Sequence, residues 1–134
     1  MDNSVYVNIT NDLIKKWSKI LLLDPLWNTT VEFYEDLDIE NALARLDTSM
    51  SEYYKAILEI SSDLFLIEVE LFKKKMDSII CHELLHILML DFYRASVLMA
   101  ENEKIKNELR YRYEQTTTRL QNSFINLIKK ESGE

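Results

Sequence analysis

The chain has 134 residues, of which 47% are hydrophobic and 29% charged, and a formal net charge of −7. That is the length of one domain able to bury a core without staples, and its acidity argues against a nucleic-acid backbone or an anionic membrane surface as partner, since both call for a basic stripe. Cys81 is the single cysteine, so an internal disulfide is excluded; with no basic and apolar leader after Met1 and no apolar run near the roughly 20 residues of a membrane span, a cytoplasmic, reducing setting is expected.

The one proline is Pro25 and the one glycine is Gly133, so helix breakers are almost missing and long helices are favoured. Thr10, Asn11 or Asp12 can cap a first helix running to about Leu22, with Leu13, Ile14, Trp17 and Leu21 on one face. Asp24-Pro25 stops it. Val31 to Tyr34 is β-branched and aromatic and predicts a short strand, Ala42 to Leu46 fits strand or helix, and Tyr54 to Ile60 predicts another strand bounded by Ser61-Ser62-Asp63. One of those last three can cap a helix from Leu64 to about Leu90, whose apolar residues include Leu71, Phe72, Met76, Ile79, Ile80, Leu84, Ile87 and Leu88. A final helix spans about Lys104 to Lys129 with Tyr113, Thr117, Leu120, Phe124 and Leu127 as its buried stripe, and Asp91 to Asn102 joins the two. Met76, Met89 and Met99 are expected in the core. Asn8-Ile9-Thr10 and Asn28-Thr29-Thr30 match the glycosylation pattern, but without an export signal both read as chance.

The expected fold is therefore α+β and helix-rich. A small sheet of about three short strands, mostly antiparallel or mixed, packs on two helices. The expected organisation is one domain over residues 1–134: an N-terminal helix and strands in 1–62, a motif-bearing helix over about 63–91, and a last helix over about 104–130.

The chemistry concentrates in His82-Glu83-Leu84-Leu85-His86, which holds both histidines of the chain. Residues four apart on a helix share a face, with Cβ atoms about 5–6 Å apart, so the two imidazoles can occupy two positions of a tetrahedral zinc. Glu83 then stands beside the metal, where a carboxylate serves as base toward a water. The flanks Ile79-Ile80-Cys81 and Ile87-Leu88-Met89-Leu90 are uncharged, as a buried helix requires. The blander alternative is a histidine pair that merely decorates an amphipathic helix.

A third protein ligand is needed. A further histidine six residues on is excluded, because that position is Phe92 and the glycine that accompanies it is Met89. Cys81 points about 100° away from His82. The remaining candidates are Glu101, Glu103, Glu108 and Glu114. On a straight continuation of the helix Glu101 lies about 22 Å past His86, so the ligand has to come from a helix folded back on the first. Glu114, next to the predicted buried stripe, is the best placed and Glu108 the second choice. Two imidazoles and a carboxylate suit zinc better than manganese or iron.

At these residues the chain resembles the gluzincins, zinc peptidases with a His-Glu-x-x-His helix and a glutamate on the following helix. It is most similar in layout, over about Val31 to Leu127, to their minimal single-domain forms and to small metallohydrolases of phages and prophages. The resemblance implies a zincin-like fold, Zn2+ held by His82, His86 and Glu114, Glu83 as general base, and a peptide or protein substrate. It also implies that the strand around Ala56 to Ile60 borders the cleft and can pair with an extended peptide. Thr118 stands where larger gluzincins often carry an aspartate, and no histidine remains for an oxyanion, which leaves Tyr93, Tyr111, Tyr113 or Arg119 for that role. Two other readings stand beside the hydrolase. One is a zinc-bearing module that binds a partner without turnover. The other is a helical interaction protein, paired through the long helix from Leu64 and the segment Phe124 to Ile128, with a coincidental motif.

Overall fold

Apolar spacing of three and four residues starts the chain as α1 (Ser4–Ile20). The remaining elements are β1 (Asn28–Tyr34), β2 (Ala44–Asp47), β3 (Lys55–Ser61), α2 (Val69–Leu98) and α3 (Glu103–Glu131), with short 3-10 turns at Ser51–Tyr53 and Ser62–Leu66. The computed structural model describes residues 3–35 and 43–131. The fold is helix-rich α+β with one small mixed sheet. Contacts divide the chain into residues 1–84 and 85–134, and the division falls within α2. Among the described residues no helix is long and apolar enough to cross a membrane.

In the first unit, α1 begins at Ser4 rather than at a cap near Thr10. The Thr10 hydroxyl, fully buried, donates to the Tyr6 carbonyl at 2.8 Å and so belongs to the helix interior. The helix ends by reversing at Leu22, which takes a left-handed φ of 59° while the Leu23 amide donates back to the Ser18 carbonyl at 2.8 Å. Glycine ordinarily takes that position.

The sheet order is β1-β3-β2, with β1 parallel and β2 antiparallel to β3. Register sets Val31 beside Leu58 and Phe33 beside Ile60 on one side, and Leu46 beside Leu58 on the other. Leu58 and Ile60 are fully buried. The alternate positions form a polar row, Glu32–Glu59–Arg45, in which the Arg45 guanidinium donates to Glu59 at 2.7 Å. Tyr34 bonds to Glu32, and that carboxylate pushes the phenol up to about 12. Because β3 is hydrogen-bonded on both sides, the expectation that it adds a peptide strand is corrected: its backbone groups are already spent. The ambiguous segment before it is strand β2 from Ala44, and its first residue, Ala42, lies outside the described residues.

The core of this unit gathers Trp17, Leu58, Ile60, Phe72, Met76 and Ile80, all fully enclosed. Tyr6 meets Phe72 edge-on with ring centroids 4.8 Å apart, and Phe65 lies 4.7 Å from Phe33. Asp77 accepts from the Trp17 indole at 2.8 Å and from Lys16 at 2.9 Å, satisfying a donor that has no water to turn to.

The long helix starts at Val69, not at Leu64. The Ser61 hydroxyl accepts from the Asp63 amide at 3.3 Å and opens a 3-10 turn instead, which turns Leu64 into the core before the chain extends at Ile67. Buried α2 positions then recur at Phe72, Met76, Ile80, Leu84 and Ile87, while Leu71 and Leu88 are exposed.

The second unit is the end of α2 and all of α3. The helix runs on to Leu98, so only residues 99–102 join the two. Met99 is exposed there instead of buried, since it lies beyond the helix end. The Asn102 side chain accepts from the Ile105 amide at 3.0 Å and caps α3. Thr117 is fully buried, donating to the Tyr113 carbonyl at 2.8 Å, whereas Leu127 at the end of the predicted stripe is exposed.

Candidate metal centre

His82, Glu83 and His86 are half-buried on α2, which is uninterrupted through the motif, so helical geometry alone sets the two imidazoles one turn apart. Glu114 lies on α3, largely exposed, with its Oε1 3.2 Å from His86 Nε2. One ligand-type atom from each of His82, His86 and Glu114 lies within 4.8 Å of the others. At 3.2 Å an imidazole N–H can donate to a carboxylate oxygen. A divalent cation can take the place of the proton in such a pair. Zinc bonds of about 2.0–2.1 Å in a tetrahedron set neighbouring ligand atoms about 3.3 Å apart. The His86–Glu114 spacing fits that figure, and two nitrogens with one oxygen is a donor set zinc accepts.

The other acidic candidates lie elsewhere. Glu108 accepts from the Arg112 guanidinium at 3.1 Å on the surface of α3. Glu103 sits in the first turn of α3, 3.5 Å from Lys106, and Glu101 is exposed in the connection. Cys81 is fully buried and desolvation pushes its thiol up to about 12, which disfavours the thiolate a metal would need.

The four residues expected to stabilise an oxyanion separate into two pairs. Tyr111 and Arg119 line an open hollow of about 350 Å³ together with Glu114, Gln115 and Thr118. Tyr111 accepts from Gln115 Nε2 at 2.9 Å there. Tyr93 and Tyr113 line a second, mainly apolar cavity of about 150 Å³ with Met89, Phe92, Ser96, Leu109, Arg112 and Thr116. Tyr113 is committed differently from what its sequence position suggested: its hydroxyl donates to the His86 backbone carbonyl at 2.9 Å, and its ring lies 4.7 Å from the imidazole. No sequence signal marks that bond, because it joins residues 27 apart.

Compared with known proteins, the chain matches no family model, no curated protein and no solved structure.

Proposed function

We propose that this protein is a zinc-dependent hydrolase acting on peptide bonds. The observation that carries the reading is the convergence of His82, His86 and Glu114, with His86 Nε2 and Glu114 Oε1 already 3.2 Å apart. His82, His86 and Glu114 hold the metal, and Glu83, one residue from the first ligand, is the base. Bound zinc supplies Lewis acidity, which brings water toward ionisation near neutral pH. The Glu83 carboxylate takes the proton from water and later hands it to the leaving amine. Tyr111 and Arg119 share the hollow of Glu114, and on this reading they donate to the carbonyl oxygen of the substrate. The apolar cavity beside Tyr113 offers room for a side chain of the substrate. A reducing compartment such as the cytoplasm suits a single buried thiol.

The test is zinc content together with cleavage of a broad peptide library. The wild type is expected to retain about one zinc per chain and to cut. Glu83→Gln should keep the metal and lose cleavage by about 100-fold or more, and His86→Ala should lose the metal. Cleavage that survives Glu83→Gln overturns the mechanism, and a wild type without tight zinc overturns the site.

One observation favours a second reading, a zinc-bearing module that binds a partner without turnover. The Tyr113 hydroxyl proton is spent on the His86 carbonyl, which removes one of the four oxyanion donors. Zinc without cleavage of any library member, and one partner recovered in stable complex, would favour it.

A further inference from the structure

We infer that Tyr113 is a positioning residue for the candidate metal centre, holding His86 in the orientation in which Glu114 meets it. The inference rests on the zinc site proposed above and adds a residue outside the ligand set.

Two consecutive residues of α3 grip His86 at two different places. Tyr113 donates its hydroxyl to the His86 carbonyl at 2.9 Å, and Glu114 brings Oε1 to Nε2 at 3.2 Å. Successive helical residues point about 100° apart, so one seated side chain fixes where the next one goes. Once the phenol is anchored on the α2 backbone, the angular position of Glu114 follows.

The phenol is itself held. Tyr93 stacks on it with centroids 4.2 Å apart and planes 18° from parallel. One turn on, Thr117 bonds to the Tyr113 carbonyl and brings its hydroxyl 3.9 Å from the Met89 sulfur. On the imidazole side the Tyr113 ring sits 4.7 Å from His86 at an angle of 43°, which restricts rotation of the ring that presents Nε2. Backbone and ring of one ligand are thus restrained by a single side chain, which also sets the register of the helix that delivers another. Partners of this kind fix ligand orientation and ordinarily weigh about 10–100-fold in metal affinity.

The experiment is zinc affinity by chelator competition on the full chain, wild type against Tyr113→Phe, with the cobalt(II) absorption spectrum of each at saturation. The Phe variant keeps the ring and its stacking and loses only the hydroxyl. The expected result is zinc binding weaker by about 10-fold or more and a shifted cobalt band, with the melting temperature of the chelated protein close to wild type. Equal affinity and identical cobalt spectra overturn the inference and leave the proposed function standing. A variant that melts earlier yet gives the wild-type cobalt spectrum also overturns it, because that is a structural role alone. A wild type that binds neither metal removes the proposed site and this inference together.

Discussion

Trp17, Phe72, Met76 and Ile80 in the first unit are fully enclosed, whereas in the second unit Phe92, Leu98, Met99 and Tyr111 stand mostly in solvent. The first unit interlocks an edge-on aromatic pair, a three-stranded sheet and a buried indole with its acceptor. In the second, directional contacts between its two helical segments include Tyr113 with His86, Tyr93 with Tyr113, and Thr117 with Met89. Apolar burial and candidate chemistry are therefore distributed differently. The helix that bears the motif is secured by its first half, and the glutamate comes from the less enclosed part of the chain. Segments with few buried contacts open most readily, and binding sites draw on them.

The contrast breaks most directly at Trp17. Trp17→Ala is expected to cost about 3–5 kcal/mol, the range for emptying a packed aromatic site, while Leu98→Ala at an 86% exposed position should stay within about 0.5 kcal/mol. Denaturant unfolding of the two variants reads the difference. Comparable losses would mean that the second unit is not the weakly packed one.

If the proposed site takes zinc, metal is the next lever, since two of the three proposed ligands, His86 and Glu114, belong to the second unit. With free zinc at about 1,000 times its dissociation constant, the stabilisation is about 4 kcal/mol. Hydrogen exchange should show the slowing concentrated on the amides of α3 around Glu114, and a chelator should reverse it. Slowing confined to the first unit would contradict the site.

How much of this was legible beforehand follows the same division. The scarcity of glycine and proline and the β-branched run at Val31 announced the α+β class, because those signals are local. Spacing placed His82 and His86 on one helical face for the same reason. The need for a helix folded back on the motif pointed to Glu114, but its approach to His86 joins residues far apart in sequence, and no local pattern in the chain marks it. The helix α2 starts at Val69 and not at Leu64 because burial of Leu64 keeps Ser62–Leu66 as a separate turn, a tertiary effect that overrides a helix-compatible sequence. The central place of β3 was hidden because strand order is decided by pairings between distant segments.

Within the first unit the contrast sharpens at Asp77. Asp77→Leu removes the acceptor of the enclosed Trp17 indole, so the expected cost is about 1–3 kcal/mol. A smaller opposite effect is expected at Leu22, where a left-handed φ of 59° falls on a residue 86% exposed. Leu22→Gly relieves about 1–2 kcal/mol of strain and costs about 0.5–1 kcal/mol of chain entropy, for a net gain of about 0–1.5 kcal/mol. An unfolding midpoint that falls instead would show that Leu22 makes contacts which outweigh its backbone strain.

The smallest effect depends on pH and belongs to the connection between β2 and β3. The Ser49 amide donates to the Asp47 carboxylate at 2.9 Å, and that bond holds the group below the usual carboxylate range. A carboxyl with a depressed folded value binds its proton more readily in the unfolded chain. Its contribution is therefore present above the unfolded value, near 3.8, and is lost as pH falls through the folded one. Asp47→Asn keeps an acceptor for Ser49 but cannot titrate. The stability gap between wild type and variant, read by urea unfolding from neutral pH down to about 2, should be widest near neutrality and close in acid, over the range in which a free and a hydrogen-bonded carboxyl take up protons. A gap that stays constant across that range would mean the bond to Ser49 forms equally in the unfolded chain, and a gap that widens in acid would reverse the sign assigned to Asp47.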